Sequence, residues 1–213
     1  MSDDWLVDGT EHSGLTLMLA HGAGQGPRSE FMLYFARELS ASGLRVIRFE
    51  FPYMSAWRRD GRRRPPDRQA VLLRQWNDGI DRVQAEGIGG NRLVIGGKSL
   101  GGRMASLIAD ARAVAGLVCL GYPFHPPGRS EAGRVDHLQS LHTPTLICQG
   151  TRDPFGRPEE VRHYPLGAGV RIAWIEDGEH SFKARKRSGR TWQQNLQQAA
   201  EAVLEFTRSL GEV

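Results

Sequence analysis

Cysteine is scarce in this chain, two residues among 213, and that scarcity excludes a disulfide scaffold or a cysteine-built metal cluster. Cys119 and Cys148 each sit inside an apolar, β-like run, Gly116–Leu120 and Thr145–Gln149, which reads as two buried free thiols. Histidines paired at metal-ligand spacing are also missing, so neither a metal nor a cofactor is expected. Long apolar runs are absent as well: Leu15 to Ala20 is far too short to span a bilayer. The opening Met1-Ser2-Asp3-Asp4-Trp5 is acidic and lacks the basic and apolar regions of a signal peptide. These absences predict a cytoplasmic protein with no membrane partner. No repeat, low-complexity tract or linker-like stretch divides the chain, so one domain over residues 1–213 is expected.

What is present is an ordinary globular composition, 39% hydrophobic and 24% charged. The formal charge of +4 is unevenly spread. Residues 58–68 hold six arginines and two aspartates, and residues 183–190 hold five basic residues, which leaves 17 basic against 22 acidic residues elsewhere. The chain thus reads as a mildly acidic domain carrying two basic loops. If those loops rim a pocket, they would favour an anionic small molecule by charge steering; as solvated loops they would only aid solubility.

The stretch Leu93-Val94-Ile95-Gly96-Gly97-Lys98-Ser99-Leu100-Gly101-Gly102-Arg103 is a β-like run that stops at glycines and restarts with helical spacing at Met104, Leu107, Ile108 and Ala111. Within it Gly97-Lys98-Ser99-Leu100-Gly101 fits G-x-S-x-G, which places a serine on a sharp strand-to-helix turn. Without context the bland reading is a helix N-cap serine. Two nucleotide motifs fail nearby: a phosphate-binding P-loop would need glycine where Arg92 stands, and a dinucleotide fingerprint starting at Gly22 would need glycine where Pro27 stands.

In chain order, strands are expected at Leu15–Ala20, Leu44–Phe49, Leu93–Ile95, Gly116–Leu120, Thr145–Gln149 and Val170–Ile175. Helical spacing appears at Phe31 to Leu39, at Leu72 to Val83 with Asp67 as its cap, after Ser99, and at Leu196 to Leu210. Strands that are apolar throughout and separated by helices predict an α/β protein, a three-layer, doubly wound, mostly parallel sheet of six to seven strands. Ligands bind such sheets beyond the carboxyl ends of the strands. The loops beginning at His21, Pro52, Ser99, Gly121, Asp153 and His180 should share that edge.

Three of those loops offer Ser99, Asp153 and His180, in the order in which α/β-hydrolases carry their triad. Here the chain resembles the α/β-hydrolase superfamily, most closely its compact, lid-free, dienelactone-hydrolase-like bacterial members. It is also similar to a group related to a subunit of the nonspecific-lethal histone acetyltransferase complex. The resemblance implies a serine hydrolase cleaving an ester, thioester or related acyl bond of a small molecule, with Ser99 as nucleophile, His180 as base and Asp153 as the acid orienting it. It further implies an oxyanion loop at His21-Gly22-Ala23-Gly24, with the backbone N–H groups of Ala23 and Leu100 as donors and Gly24 as the alternative to Ala23. Asp153, before Pro154, also reads as a turn former, and Asp177 is the rival acid. His21 reads as an anchor for its loop, and Tyr53 either lines the substrate pocket or packs beside it. The N-terminus is too short for the family's usual opening pair of strands, and no insertion supplies a lid. Two readings of other classes remain: a catalytically silent binding module on the same fold, and nucleic-acid binding through the basic loops, which predicts affinity falling steeply with salt. A nucleic-acid partner is not expected.

Overall fold

Each expected apolar run becomes a strand in the computed structural model, which describes residues 5–10, 14–128 and 134–211. The strands are β1 (Trp5–Asp8), β2 (Thr16–Ala20), β3 (Arg45–Phe49), β4 (Leu93–Lys98), β5 (Gly116–Leu120), β6 (Thr145–Gly150) and β7 (Val170–Ile175). They form one sheet in the order β1-β3-β2-β4-β5-β6-β7, parallel except for β1, which runs antiparallel to β3 at the edge. The helices between them are α1 (Glu30–Ala41), α2 (Pro52–Asp60), α3 (Gln69–Ala85), α4 (Leu100–Ser106), the single turns α5 (Asp136–Gln139) and α6 (Pro158–Val161), and α7 (Trp192–Gly211).

The central strands are buried on both faces, which is why they lack polar alternation. Leu17 and Leu19 of β2 face the side covered by α1 and α7, packing in one cluster with Phe35, Leu39, Leu196 and Val203. Met18 and Ala20 face the opposite side, with Trp76 and Ile80 of α3 and Met104 of α4. Side chains such as Trp76 and Phe35 are fully buried, each contributing roughly 2–3 kcal/mol of apolar burial.

The structure adds one short strand to those expected, without completing an opening pair, and corrects three other sequence expectations. One opening strand does form: β1 is short and half-buried, held by its ladder to β3 and by the Arg48–Asp8 ion pair at 2.7 Å, so its apolar signal was weak. Residues 52–60 are helix rather than loop, because Pro52 supplies the preset φ and the missing N–H that suit a first helical position. Asp67 does not cap α3, which starts at Gln69; its carboxylate instead accepts from the Tyr53 N–H at 2.8 Å, capping α2 from a distance. Helix α4 stops at Ser106 and does not reach Ala111, because Leu107 and Ile108 donate three residues back, to Met104 and Ala105, and the turn tightens. No helix among the described residues is long and apolar enough to cross a membrane.

Candidate active site

The turn between β4 and α4 packs hard against β2. A Cβ on Gly97 would stand 2.0 Å from the carbonyl oxygen of Ala20, and one on Gly101 would stand 2.4 Å from the same atom. Backbone cannot yield to such contacts, so both positions require glycine. Ser99, between them, is held at φ 51° and ψ −112°, a region that costs a non-glycine residue roughly 1–3 kcal/mol. Its N–H donates to Leu120 O at 3.1 Å, leaving the hydroxyl at the sheet's carboxyl edge.

His180 reaches that hydroxyl from the turn after β7. Its Nε2 is 2.9 Å from Ser99 Oγ, and its Nδ1 is 2.7 Å from Asp153 Oδ2. A carboxylate only accepts, so the Nδ1 of neutral His180 carries the hydrogen and Nε2 is left to accept from the serine. Burial holds the His180 ring below its ordinary imidazole pKa, the charge of Lys98 adds to that depression, and Asp153 opposes it. Phe155 packs on the ring at a centroid distance of 4.4 Å.

Asp153 is fully buried, and both its oxygens are further engaged: Oδ1 accepts from the Phe155 N–H at 2.9 Å, and Oδ2 from Gln149 Nε2 at 3.0 Å. Gln149 is itself fixed, since its amide also bonds both backbone groups of Tyr122 and the Gly156 carbonyl. Sequence reasoning passed over Gln149; its only signal was a lone amide in an otherwise apolar strand. Asp177 is drawn elsewhere, onto Arg185 and Arg152, and the Arg185 guanidinium holds its carboxyl well below the usual carboxylate range.

The loop after β2 comes to the same place. His21 is buried as its anchor: Nδ1 donates to Gly22 O at 2.7 Å while Nε2 accepts the Phe51 N–H at 3.0 Å, and burial lowers its pKa to about 4. Ala23 walls a cavity of about 270 Å³ together with Ser99, His180, Phe31 and Phe155; Leu100, the first residue of α4, follows the serine directly. Tyr53 is not on that wall. Its buried hydroxyl donates to the carbonyls of Gly22 (3.1 Å) and Ala23 (3.2 Å), so it supports the loop from behind, and burial raises its pKa, keeping the phenol a donor.

Lys98, also unremarked at the level of sequence, is buried next to the serine. Its Nζ donates to the His180 carbonyl at 2.5 Å and lies 5.4 Å from the centre of the Phe31 ring; burial lowers its pKa to about 8. Gly121 makes room for it, since a Cβ there would fall 2.9 Å from Nζ. Cys119 and Cys148 are buried and free, with burial pushing the Cys148 thiol up to about 12. Among the described residues no group of three or more His, Cys, Asp or Glu side chains could hold a metal ion.

Of the two arginine-rich segments, only Arg58 and Lys183 line a cavity near the serine. Arg64 pairs with Asp60, Arg185 with Asp177, and Arg190 bonds Asn195 and Gln198.

Comparisons with known proteins agree with this architecture. A lid-free α/β serine hydrolase from Xanthomonas campestris superposes with a TM-score of 0.69 at 19% identity, over 95% of this chain and 88% of the other. Dienelactone hydrolase from Anabaena variabilis gives 0.69 at 21%, over 92% and 88%, and an α/β serine hydrolase homologue from Coxiella burnetii gives 0.71 at 16%, over 94% and 89%. At such identities these likenesses concern the fold. The alpha/beta hydrolase domain model matches residues 13–208, nearly the whole chain, and the protein therefore belongs to the alpha/beta hydrolase family.

Proposed function

We propose that the protein is a serine hydrolase that cleaves an ester or thioester of a small acyl compound through a covalent acyl-enzyme. The observation that carries this reading is the continuous relay from Asp153 Oδ2 through His180 to Ser99 Oγ, at 2.7 and 2.9 Å. His180 Nε2 takes the hydroxyl proton as Oγ attacks the acyl carbon, and returns it to the leaving oxygen or sulfur. Asp153 keeps the ring in the tautomer that can do this and stabilises the imidazolium that forms. The oxyanion is received by the backbone N–H groups of Leu100 and Ala23, a pair in which one donor is typically worth about 10²–10³ in turnover. Water then repeats the attack on the acyl-enzyme, with His180 again as base.

A small-molecule substrate suits a cavity of about 270 Å³ better than a nucleic acid suits the arginine-rich segments, since Arg64 and Arg185 are occupied by neighbouring carboxylates. The test is pre-steady-state kinetics on a panel of para-nitrophenyl esters and aryl thioesters. The reading predicts a burst approaching one equivalent of nitrophenolate or thiol before the steady state; a folded protein that turns over no member of the panel would refute it.

A further inference from the structure

The cavity at Ser99 does not end at the serine. Gly24, Gln25, Ser29, Phe31 and Ser181 wall both it and a second, larger chamber of about 550 Å³. Met54, Trp57 and Trp192 give the larger chamber apolar faces, and Glu50, the residue directly after β3, also lines it.

Glu50 is only 7% exposed. Ser55 Oγ and Arg58 Nε both donate to its Oε2, at 2.8 and 3.0 Å, whereas Oε1 has no hydrogen-bond partner among the described residues. Oε1 stays reachable from the chamber, where water donates to it unless a ligand group takes that place. The residue facing it is suggestive. A Cβ on Gly26 would lie 3.3 Å from Glu50 Oε1 and 3.2 Å from Met54 Cγ, and Gly26 is not in the left-handed region. Its backbone does not call for glycine, but a side chain there would crowd both Met54 and the chamber side of Oε1.

The charges around the chamber balance, with Arg28, Arg58 and Lys183 against Glu30, Glu50 and Glu179. Arg58 already neutralises Glu50, so the free oxygen suits a neutral donor rather than a cation. We propose that this chamber binds the distal end of an extended acyl substrate through a hydroxyl group that donates to Glu50 Oε1, the intervening chain or ring lying against Phe31, Trp57 and Trp192. This rests on the hydrolase reading of Ser99 and adds the chemical class of its substrate: esters bearing a remote hydroxyl.

The test compares methyl esters of para-hydroxyphenyl alkanoic acids, over a series of spacer lengths, with their para-methoxy and para-aminomethyl analogues. At the best spacer the hydroxyl ester should exceed the methoxy ester about tenfold or more in kcat/KM, because a site built to accept a hydrogen bond rejects the analogue lacking the donor. In Glu50→Ala and in Gly26→Ala that ratio should collapse to within about twofold; taken on one preparation, it cancels any loss of folded protein. In parallel, calorimetry measures binding of the matching para-hydroxyphenyl and para-methoxyphenyl alkanols to Ser99→Ala protein, which needs no turnover. Hydroxyl preference in binding without ester turnover would refute the hydrolase reading and leave the chamber assignment standing. Turnover with no hydroxyl preference at any spacer, preference for the aminomethyl analogue, or preference that survives both substitutions would overturn the proposal.

Discussion

Asp153 and Asp177 both end up beyond the carboxyl edge of the sheet, and their partners separate them. Asp153 is buried against His180 and Gln149, while Asp177 is occupied by Arg185 and Arg152. Asp153→Asn should therefore lower kcat by about 10²–10⁴ with the fold intact, since the amide favours the wrong histidine tautomer; Asp177→Asn should change kcat by less than about threefold. Equal losses in both variants would contradict the assignment. Lys98 gives a prediction in pH. His180 must be neutral to act as base, and burial with the Lys98 charge holds its pKa below the ordinary 6.5, so kcat/KM should fall only as the pH drops through a value below 6.5. Lys98→Met removes the charge and should move that acidic limb to higher pH; an unmoved limb would mean that Lys98 only packs. At this scale the sequence was legible where a motif or a loop position marked a residue, as at Ser99, Asp153 and His180. It was silent on Gln149 and Lys98, whose contacts lie with groups brought near only by the closed sheet.

At the scale of elements, the runs that became β2 to β7 were readable because burial on both faces leaves continuous apolar stretches. Helix α2 was not, because it joins a proline start and few buried residues to an arginine-rich end that reads as loop. Its N-terminus is capped from Asp67, fourteen residues beyond Tyr53, a pairing that no local pattern announces. The consequence is mechanical, since α2 carries Tyr53 and Tyr53 holds the loop containing Ala23. If that loop carries the proposed oxyanion donor, Tyr53→Phe should lower kcat about tenfold with KM nearly unchanged; a change confined to KM would instead place the phenol against substrate. Gly101→Ala puts a methyl group onto the Ala20 and His21 carbonyls, at 2.4 and 2.8 Å, and should destabilise the protein by about 3 kcal/mol or more, read as a lowered midpoint in urea unfolding.

For the molecule as a whole, the loop anchored by His21 ties stability to pH. Buried His21 has a folded pKa near 4 against 6.5 unfolded, so the unfolded chain binds a proton that the folded one refuses. Stability should fall as the pH drops from about 6.5 towards 4, by about 3 kcal/mol from this group alone. Urea unfolding at pH 7 and pH 5 should show a smaller loss in His21→Asn than in the wild type; an equal loss would assign the pH dependence to other groups. The three-layer sheet and its parallel order were open to sequence reasoning, because strand and helix patterns alternate with few gaps. The union of two cavities into one cleft was not, because it depends on side chains from α2, the loop after β2 and the segment before α7 meeting in space. The central claim, an activated Ser99, is tested most directly by reacting the protein with a fluorophosphonate and mapping the adduct by peptide mass spectrometry. An activated serine gives stoichiometric phosphonylation at Ser99 that is lost in Ser99→Ala and sharply slowed in Asp153→Asn. A wild-type protein left unlabelled, or labelled as fully in Ser99→Ala as in the wild type, would contradict the claim.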